Sequence, residues 1–246
     1  MVCDISSIFS RSFVISIDDE RLGRFYRVME SVFGDSGFYV PPRFVRGVTN
    51  GSFRTEKRII MSHVGIIERA KALGMPSVLI FEDDAVPHPD AAKLMRHYLS
   101  DLPDDCRVLQ LGTNFRRPRE ILSAQLVRAG NTRGAHAYIV FEAAYDAFIN
   151  CHRFVHIDHY FARVARTYLP GYDLFVQFVR KRSAHTGSGY CHGDHHVTQD
   201  PPKGFLRPVE LTMRAFPSAF SEKEICKMQD AIHAREMSSA ESERQP

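Results

Sequence analysis

Short apolar runs along the chain are separated by longer segments in which apolar residues recur every three or four positions. The short runs have the length and the β-branched or aromatic content of buried strands, and the longer segments have the period of amphipathic helices. Strands are predicted over 13–17, 38–45, 77–81, 106–111, 125–128 and 136–140, and helices over 20–33, 55–73, 89–99 and 142–150. This alternation predicts an α/β fold with a mixed, mainly parallel sheet flanked by helices.

The two longest predicted helices carry clear boundary signals. Helix 20–33 is closed by Gly34, whereas helix 55–73 is capped by Thr55 and stopped by Gly74. Their apolar sides consist of Leu22, Phe25, Tyr26, Met29 and Phe33 in the first helix and of Ile59, Ile60, Val64, Ile67, Ala70 and Leu73 in the second. Each helix is therefore predicted to bury one side.

The later part of the chain is less regular. Residues 113–124 are basic and are predicted to be irregular, while a helical run is predicted from Asp158 to Thr167. Residues 174–179 are apolar again, and 180–199 lack periodicity, which is typical of a long loop.

The predicted domain organisation follows from the last boundary signals. A capping box at Ser221-x-x-Glu224 starts a final helix, which a polar tail follows. We expect one domain over 1–220, and a C-terminal helix with a disordered tail over 221–246.

Three consecutive acids, Glu82-Asp83-Asp84, end the most apolar predicted strand, and Pro87 then stops that strand from continuing. In open α/β sheets the carboxyl ends of the strands border the ligand crevice, where acids are well placed to hold a divalent cation. Strand alternation would put Glu82 and Asp84 on one side and Asp83 on the other. A solvated acidic loop is the alternative interpretation.

Composition bounds the functional classes. The 246 residues carry a net charge of only +3, which argues against a nucleic-acid partner, and five widely spaced cysteines argue against a disulfide framework. No apolar run approaches the length of a membrane span. We expect a soluble cytoplasmic protein, with peripheral association at the inner face of a membrane through its basic residues left open.

Several blocks together resemble glycosyltransferase family 25, which includes bacterial lipooligosaccharide galactosyltransferases and collagen galactosyltransferases. The matching blocks are Met61-Ser62-His63, Glu82-Asp83-Asp84 nineteen positions later, 134–140, Ile157-Asp158 with Gln177, and the opening 14–18 with Arg24. The resemblance covers about residues 13–180. The chain departs from the family in having no tryptophan, where the family often has two.

The resemblance implies a GT-A type fold and transfer of a hexose, commonly galactose, from a UDP-sugar with inversion at the anomeric carbon. It also implies Mn²⁺ or Mg²⁺, and an acceptor that is a saccharide or glycolipid in lipopolysaccharide or other cell-surface glycan biosynthesis. A cation held by carboxylates would neutralise the diphosphate leaving group. The predicted metal ligands are Asp84, Glu82 and a late histidine, His185.

Predicted donor-binding residues lie on the first strand, the first two long helices and the acidic run: Ser16, Asp18, Arg24, His63, Glu82 and Asp83. Ser16 and Asp18 lie at a strand end, where the same crevice is expected. Two of these residues have a second interpretation. His63 is also a candidate core histidine with satisfied hydrogen bonds, and Arg24 is also a candidate solvated charge.

An inverting transfer needs a base that deprotonates the acceptor hydroxyl. Asp158 is the predicted base, because a helix start lowers the pKa of a carboxyl and directs it outward. An ordinary helix N-cap is an equally natural role for the same aspartate. Glu120 or Asp173 could replace it.

The segment 185–196 is rich in Gly and His and raises two further hypotheses. Asp194-His195-His196 matches the triplet of the Asp-His-His phosphoesterases, although the acidic motifs expected on preceding strands are missing. A zinc site from Cys191, His192, Asp194 and His195 has none of the usual structural spacings. A non-catalytic donor-binding module of the same fold is the remaining alternative.

Overall fold

The computed structural model describes residues 4–49, 53–113, 115–122, 126–150, 157, 161, 167–170 and 174–177. The side chains of 114–121, 130, 131, 133, 176 and 177 are not described. The described helices are α1 (Ile5–Ser10), α2 (Asp19–Phe33), α3 (Thr55–Ala72), α4 (Ala91–Ser100) and α5 (Tyr145–Ile149).

Ten strands are described within these ranges. They are β1 (Ser12–Ser16), β2 (Arg43–Arg46), β3 (Ser77–Glu82), β4 (Ala85–Pro87), β5 (Val108–Gln110), β6 (Phe115–Ile121), β7 (Leu126–Arg133), β8 (Ala137–Phe141), β9 (Thr167–Pro170) and β10 (Phe175–Gln177).

Eight of the described strands form one sheet, in the order β2-β1-β3-β8-β5-β9-β7-β6, and β4 pairs with β10 in a separate ribbon. The pairs β1–β2, β1–β3 and β5–β9 are parallel, whereas β8 runs antiparallel to both β3 and β5. Following these pairs, β1, β2, β3, β5 and β9 run in the same direction. This confirms the predicted mixed, mainly parallel sheet flanked by helices.

The sheet separates two hydrophobic cores because successive side chains of a strand point to opposite faces. One core contains Phe25, Met29 and Phe33 of α2 together with Leu79 and Phe81 of β3. The other contains Ile60 and Ile67 of α3 together with Val78 and Ile80. The acidic run that follows β3 therefore extends from a strand that is buried on both faces.

The apolar side predicted for α2 is confirmed at Phe25, Met29 and Phe33, which are all buried. In α3 the buried face is rotated slightly from the prediction. Ile59 and Leu73 are 42% and 59% exposed, whereas Ser62 and His63 are buried. The face of α3 that meets the sheet is therefore partly polar.

Three local predictions were wrong. Residues 115–121 form strand β6 instead of an irregular segment, and Thr167 starts strand β9 instead of ending a helix. Thr55 is the first residue of α3 and not its cap, since Arg54 occupies the cap position without a side-chain hydrogen bond. Strand β6 lies at the end of the strand order, where a basic, proline-containing sequence is tolerated because one side of the strand needs no partner.

None of the helices within the described ranges has both the length and the apolar content that crossing a membrane would require.

Candidate functional site

The carboxyl ends of β1 and β3 lie side by side in the sheet, because these strands are parallel neighbours. The backbone N–H of Asp83 donates to the carbonyl oxygen of Ile15 at 3.1 Å, and the N–H of Glu82 donates to the carbonyl oxygen of His136 at 2.9 Å. The main chain of the acidic run is therefore held from both sides, by β1 and by the residue that precedes β8.

The chain turns at Asp83-Asp84 before entering β4. Strand alternation therefore ends at Glu82, and the expectation that Glu82 and Asp84 share one side was wrong. Asp83 and Asp84 are reached by one guanidinium, whereas the carboxylate of Glu82 points to a histidine on α3.

Asp83 and Asp84 form an ion-paired cluster with Arg21 in the first turn of α2. Nη2 of Arg21 makes a close ion pair with Oδ1 of Asp83 and lies 3.4 Å from Oδ2 of Asp84. The other oxygen of Asp83, Oδ2, accepts a hydrogen bond from Ser16 Oγ at 2.5 Å. Burial raises the pKa of Asp83, while the Ser16 hydroxyl and the Arg21 charge oppose that rise only in part.

Glu82 belongs to a second polar group with His63 and Tyr138. Nε2 of His63 lies 3.2 Å from Oε1 of Glu82, and Nδ1 lies 2.7 Å from the Tyr138 hydroxyl. Burial raises the pKa of Glu82, but His63, His136 and Arg21 outweigh that effect and lower it overall. Because the ionised carboxylate only accepts, Nε2 of His63 donates to it, and Nδ1 accepts from Tyr138.

His136 is fully buried next to the backbone of Glu82. Its Nε2 donates to the carbonyl oxygen of Phe175 at 3.2 Å, which places the proton of the neutral ring on Nε2. Burial lowers the pKa of His136. Nδ1 is buried and has no hydrogen-bond partner among the described residues, so a bare ring nitrogen lies close to the acidic run.

Asp18 and Arg24, both predicted to bind the donor, lie on the α2 side of this edge. Asp18 is exposed and caps α2, its Oδ1 accepting the Arg21 N–H at 3.0 Å. That backbone hydrogen bond lowers the pKa of Asp18, and the charges of Arg21 and Arg24 act in the same direction. Ser16 accepts the Asp18 N–H at 3.0 Å, so it links the helix cap to Asp83.

The structure thus brings together Ser16, Asp18, His63, Glu82, Asp83 and Asp84. The predicted base Asp158, the predicted late metal ligand His185, and Asp173 lie outside the described residues, as do 180–199 and the predicted C-terminal helix. Glu120 lies in β6, with its side chain not described. Their roles stay predictions.

Whether the site fits a divalent cation depends on the side chains that could bind it. In the described part of the chain, no group of three or more His, Cys, Asp or Glu side chains is arranged to hold a metal ion. Asp83 and Asp84, only 6% and 14% exposed, nonetheless face one shared cationic group, Arg21. Carboxylate oxygens are the ligands that Mg²⁺ and Mn²⁺ prefer, so this pair fits such a cation chemically.

Sequence reasoning missed Arg21 and His136 as site residues. Arg21 is three residues from Arg24, so both lie on one face of α2 and the helical period does not separate them. The cap at Asp18 was the available signal, because it fixes Arg21 in the first turn at the end of β1. His136 lies within the block 134–140, where its contact with a backbone carbonyl from β10 has no local sequence signal.

No protein-family model matches the chain, and no curated protein matches its sequence. Solved structures resemble its fold at low identity. One is a glycosyltransferase involved in the glycosylation of the major capsid of PBCV-1, which is 10% identical with a TM-score of 0.38 over 58% of this chain. The chain covers 64% of that protein, less than two thirds of its length.

Two further structures complete the comparison. A197 from STIV is 13% identical with a TM-score of 0.43, over 70% of this chain and 86% of that chain. The Drosophila β-1,4-galactosyltransferase 7, in a complex with manganese, UDP-Gal and xylobiose, is 13% identical with a TM-score of 0.35. That match covers 55% of this chain and 50% of the other. Likenesses at this level assign no function to the chain.

Proposed function

We propose that this chain is an inverting, metal-dependent glycosyltransferase of the GT-A type. It would transfer a hexose, galactose by default, from a UDP-sugar to a saccharide or glycolipid acceptor. In this proposal the reaction belongs to cell-surface glycan synthesis and takes place in the cytoplasm, with the basic residues of the chain available for contact with the inner face of a membrane.

The observation that carries the proposal is the contact between three separate sequence blocks at Glu82. One of these blocks is Glu82-Asp83-Asp84 itself. His63 comes from the Ser62-His63 block and touches the Glu82 carboxylate, while His136 and Tyr138 come from the block 134–140. These are the blocks that resemble glycosyltransferase family 25. Blocks that are far apart in the sequence meet at the edge where a ligand crevice is expected, and this supports a shared functional role.

The arrangement of charge suits a sugar diphosphate donor. Asp83 and Asp84 would hold the divalent cation through carboxylate oxygens, with Ser16 fixing one oxygen of Asp83. A cation bound there would neutralise the charge that develops on the diphosphate as the glycosidic bond breaks. The sequence predicted Glu82 as a metal ligand and Asp83 as a donor contact, and this proposal exchanges the two roles. Glu82 is held by His63 and would accept hydrogen bonds from hydroxyl groups of the donor.

The acceptor side of the proposal rests on Asp158. An inverting transfer requires a base on the face of the sugar opposite the diphosphate, within hydrogen-bond distance of the attacking hydroxyl. Asp158 retains this assignment from the sequence, with Glu120 and Asp173 as the replacements to test beside it.

Donor binding tests the proposal directly. Thermal unfolding of the purified chain would be followed with a panel of UDP-sugars, each with and without Mn²⁺. A ligand at a hundredfold excess over its Kd stabilises the folded state by about 2.7 kcal/mol. We expect Mn²⁺-dependent stabilisation by one UDP-sugar, followed by release of UDP when an acceptor is added.

The matched variants are Asp84→Ala and Asp35→Ala. Asp35 is an exposed acid outside the site, so its replacement should leave both readouts unchanged. Asp84→Ala should abolish the Mn²⁺-dependent stabilisation and the transfer. The proposal is overturned if no UDP-sugar stabilises the parent protein, or if Asp84→Ala retains full transfer activity.

A further inference from the structure

Arg21 occupies the position between the two carboxylates that the proposed cation would need. Its Nη2 atom contacts Oδ1 of Asp83 and lies 3.4 Å from Oδ2 of Asp84. The Arg21 side chain is 39% exposed, whereas the side chains of Asp83 and Asp84 are 6% and 14% exposed. A partly solvent-accessible cationic group therefore contacts two acids that are themselves well shielded.

The charges show why this contact is useful without a metal. Two carboxylates held close together in a shielded site repel each other, and an arginine between them offsets most of that repulsion. The guanidinium supplies one positive charge for two negative ones, so the group keeps a net negative charge. A divalent cation held by Asp83 and Asp84 would balance both carboxylates.

The position of Arg21 on α2 determines where its side chain can go. It lies in the first turn of a 15-residue helix whose N-cap, Asp18, is linked through Ser16 to Asp83. A guanidinium that leaves the acids there stays near the carboxyl end of β1, next to the positive end of the helix. Phosphate oxygens are its best available partners, because the planar fork of donors fits them bidentately.

We propose that Arg21 holds the place of the divalent cation between Asp83 and Asp84, and that it leaves these carboxylates for the diphosphate of the donor when the cation binds. This inference rests on the proposed function, because it takes the cation and the diphosphate from it. Under this inference, the cation and the Arg21 guanidinium cannot both occupy the space between Asp83 and Asp84. Both of them would contact the diphosphate once the nucleotide is bound.

The inference predicts effects of opposite sign in one variant. Arg21→Met removes the competing cationic group, so the protein should bind Mn²⁺ more tightly, by up to roughly fivefold given the strength of a partly exposed ion pair. The same variant lacks the phosphate partner, so UDP should bind more weakly in the presence of saturating Mn²⁺, by roughly tenfold.

Two measurements without turnover provide the readouts. The loss of the electron paramagnetic resonance signal of free Mn²⁺ gives the metal affinity of the purified full chain. Calorimetric titration with UDP at saturating Mn²⁺ gives the nucleotide affinity. Arg27→Met is the matched control, because Arg27 is an exposed arginine on the same helix, and it should change neither value. Arg21→Lys keeps the charge without the fork and should fall between the parent and Arg21→Met.

The alternatives give different patterns. Weakening of both Mn²⁺ and UDP by Arg21→Met would mean that Arg21 only holds the acids in place, and unchanged affinities would make it a bystander. Tighter Mn²⁺ with unchanged UDP would overturn the transfer of the guanidinium to the diphosphate. UDP binding that needs Arg21 but no Mn²⁺ would mean that Arg21 replaces the cation. Each of these results overturns the inference while a nucleotide-binding site survives. A parent protein that binds neither probe would overturn the proposed function as well.

Discussion

His63 on α3 donates through Nε2 to the Glu82 carboxylate at the end of β3, across a distance of 3.2 Å. The same ring accepts from the buried Tyr138 hydroxyl at 2.7 Å and stacks on the Tyr138 ring, with centroids 5.7 Å apart. The interpretation of His63 as a buried histidine with satisfied hydrogen bonds is therefore confirmed, whereas its contact with a donor stays a prediction. It is a satisfied core histidine, and it is also the group that orients an acid of the candidate site.

Replacement of His63 by leucine should destabilise the protein by about 2–4 kcal/mol, because it leaves a carboxylate and a buried hydroxyl without their partner. Urea unfolding of His63→Leu measures this loss. Adding Tyr138→Phe to that variant removes the buried hydroxyl that His63 contacted, so we expect part of the stability to return. A His63→Leu variant as stable as the parent would contradict the description of this hydrogen-bonded group.

The free energy of unfolding should decline as the pH falls below about 6.5, because two buried histidines resist protonation. Burial lowers the pKa of His136, next to Glu82, and that of His88, whose Nδ1 accepts the Asp90 N–H. The unfolded chain binds these protons at the ordinary value of 6.5. The folded state takes them up only at lower pH, so stability is full above 6.5 and is lost as the pH falls through the two lowered values.

Urea midpoints at about pH 7.5 and pH 5.5 measure this effect, with a ceiling of about 1.4 kcal/mol per histidine and per pH unit. His136→Gln keeps a donor for the Phe175 carbonyl and His88→Asn keeps an acceptor for Asp90, so the double variant should lose most of the difference. Equal pH dependence in the parent and the double variant would place the effect elsewhere. The raised pKa of Asp83 acts in the opposite direction, but Asp83 is present in both proteins, so the comparison isolates the two histidines.

Gly112 should not tolerate alanine. A Cβ atom there would lie 2.3 Å from both Nε2 of His136 and the carbonyl oxygen of Phe175, the two atoms joined by a hydrogen bond. We expect Gly112→Ala to cost about 2–4 kcal/mol, since the added methyl group must break or displace that contact.

Gly65 on α3 is the matched control for this substitution. A Cβ added at Gly65 meets nothing within 4 Å, and the position is helical. Gly65→Ala should therefore stabilise the chain by about 0.5–1 kcal/mol. Thermal or urea unfolding of the two variants compares them directly. A Gly112→Ala variant that behaves like Gly65→Ala would show that the His136 to Phe175 contact is dispensable.

The elements that the sequence predicted well are those in which the apolar pattern has a single cause, burial against a hydrophobic core. In α2 the apolar spacing of Phe25, Met29 and Phe33 reflects burial against a core, so the helix and its buried side were predictable. In β3 four apolar residues in sequence, Val78 to Phe81, reflect burial on both faces, which located the acids that follow. Edge strand β6 was missed because an edge needs neither of these patterns.

The geometry of the acids was less predictable because it depends on distant parts of the chain. The turn at Asp83-Asp84, the choice of Arg21 over Arg24, and the contact between His136 and Phe175 all arise from packing between separate elements. Residue types and spacing located the acids, Ser16 and His63, whereas tertiary packing brought Arg21 and His136 to them and decided which side chain faces which.

The pairing of β4 with β10 has a consequence for the order in which parts of the protein fold during synthesis. The acidic turn is anchored on one side by β3 and on the other by β4, whose partner β10 lies about 90 residues later in the sequence. Pairing between such remote segments forms late, because the closure entropy of the intervening chain must be overcome first. During synthesis the acidic turn would thus stay incompletely fixed until residues near Phe175 have emerged, so the site takes its final geometry only after β10 has been made.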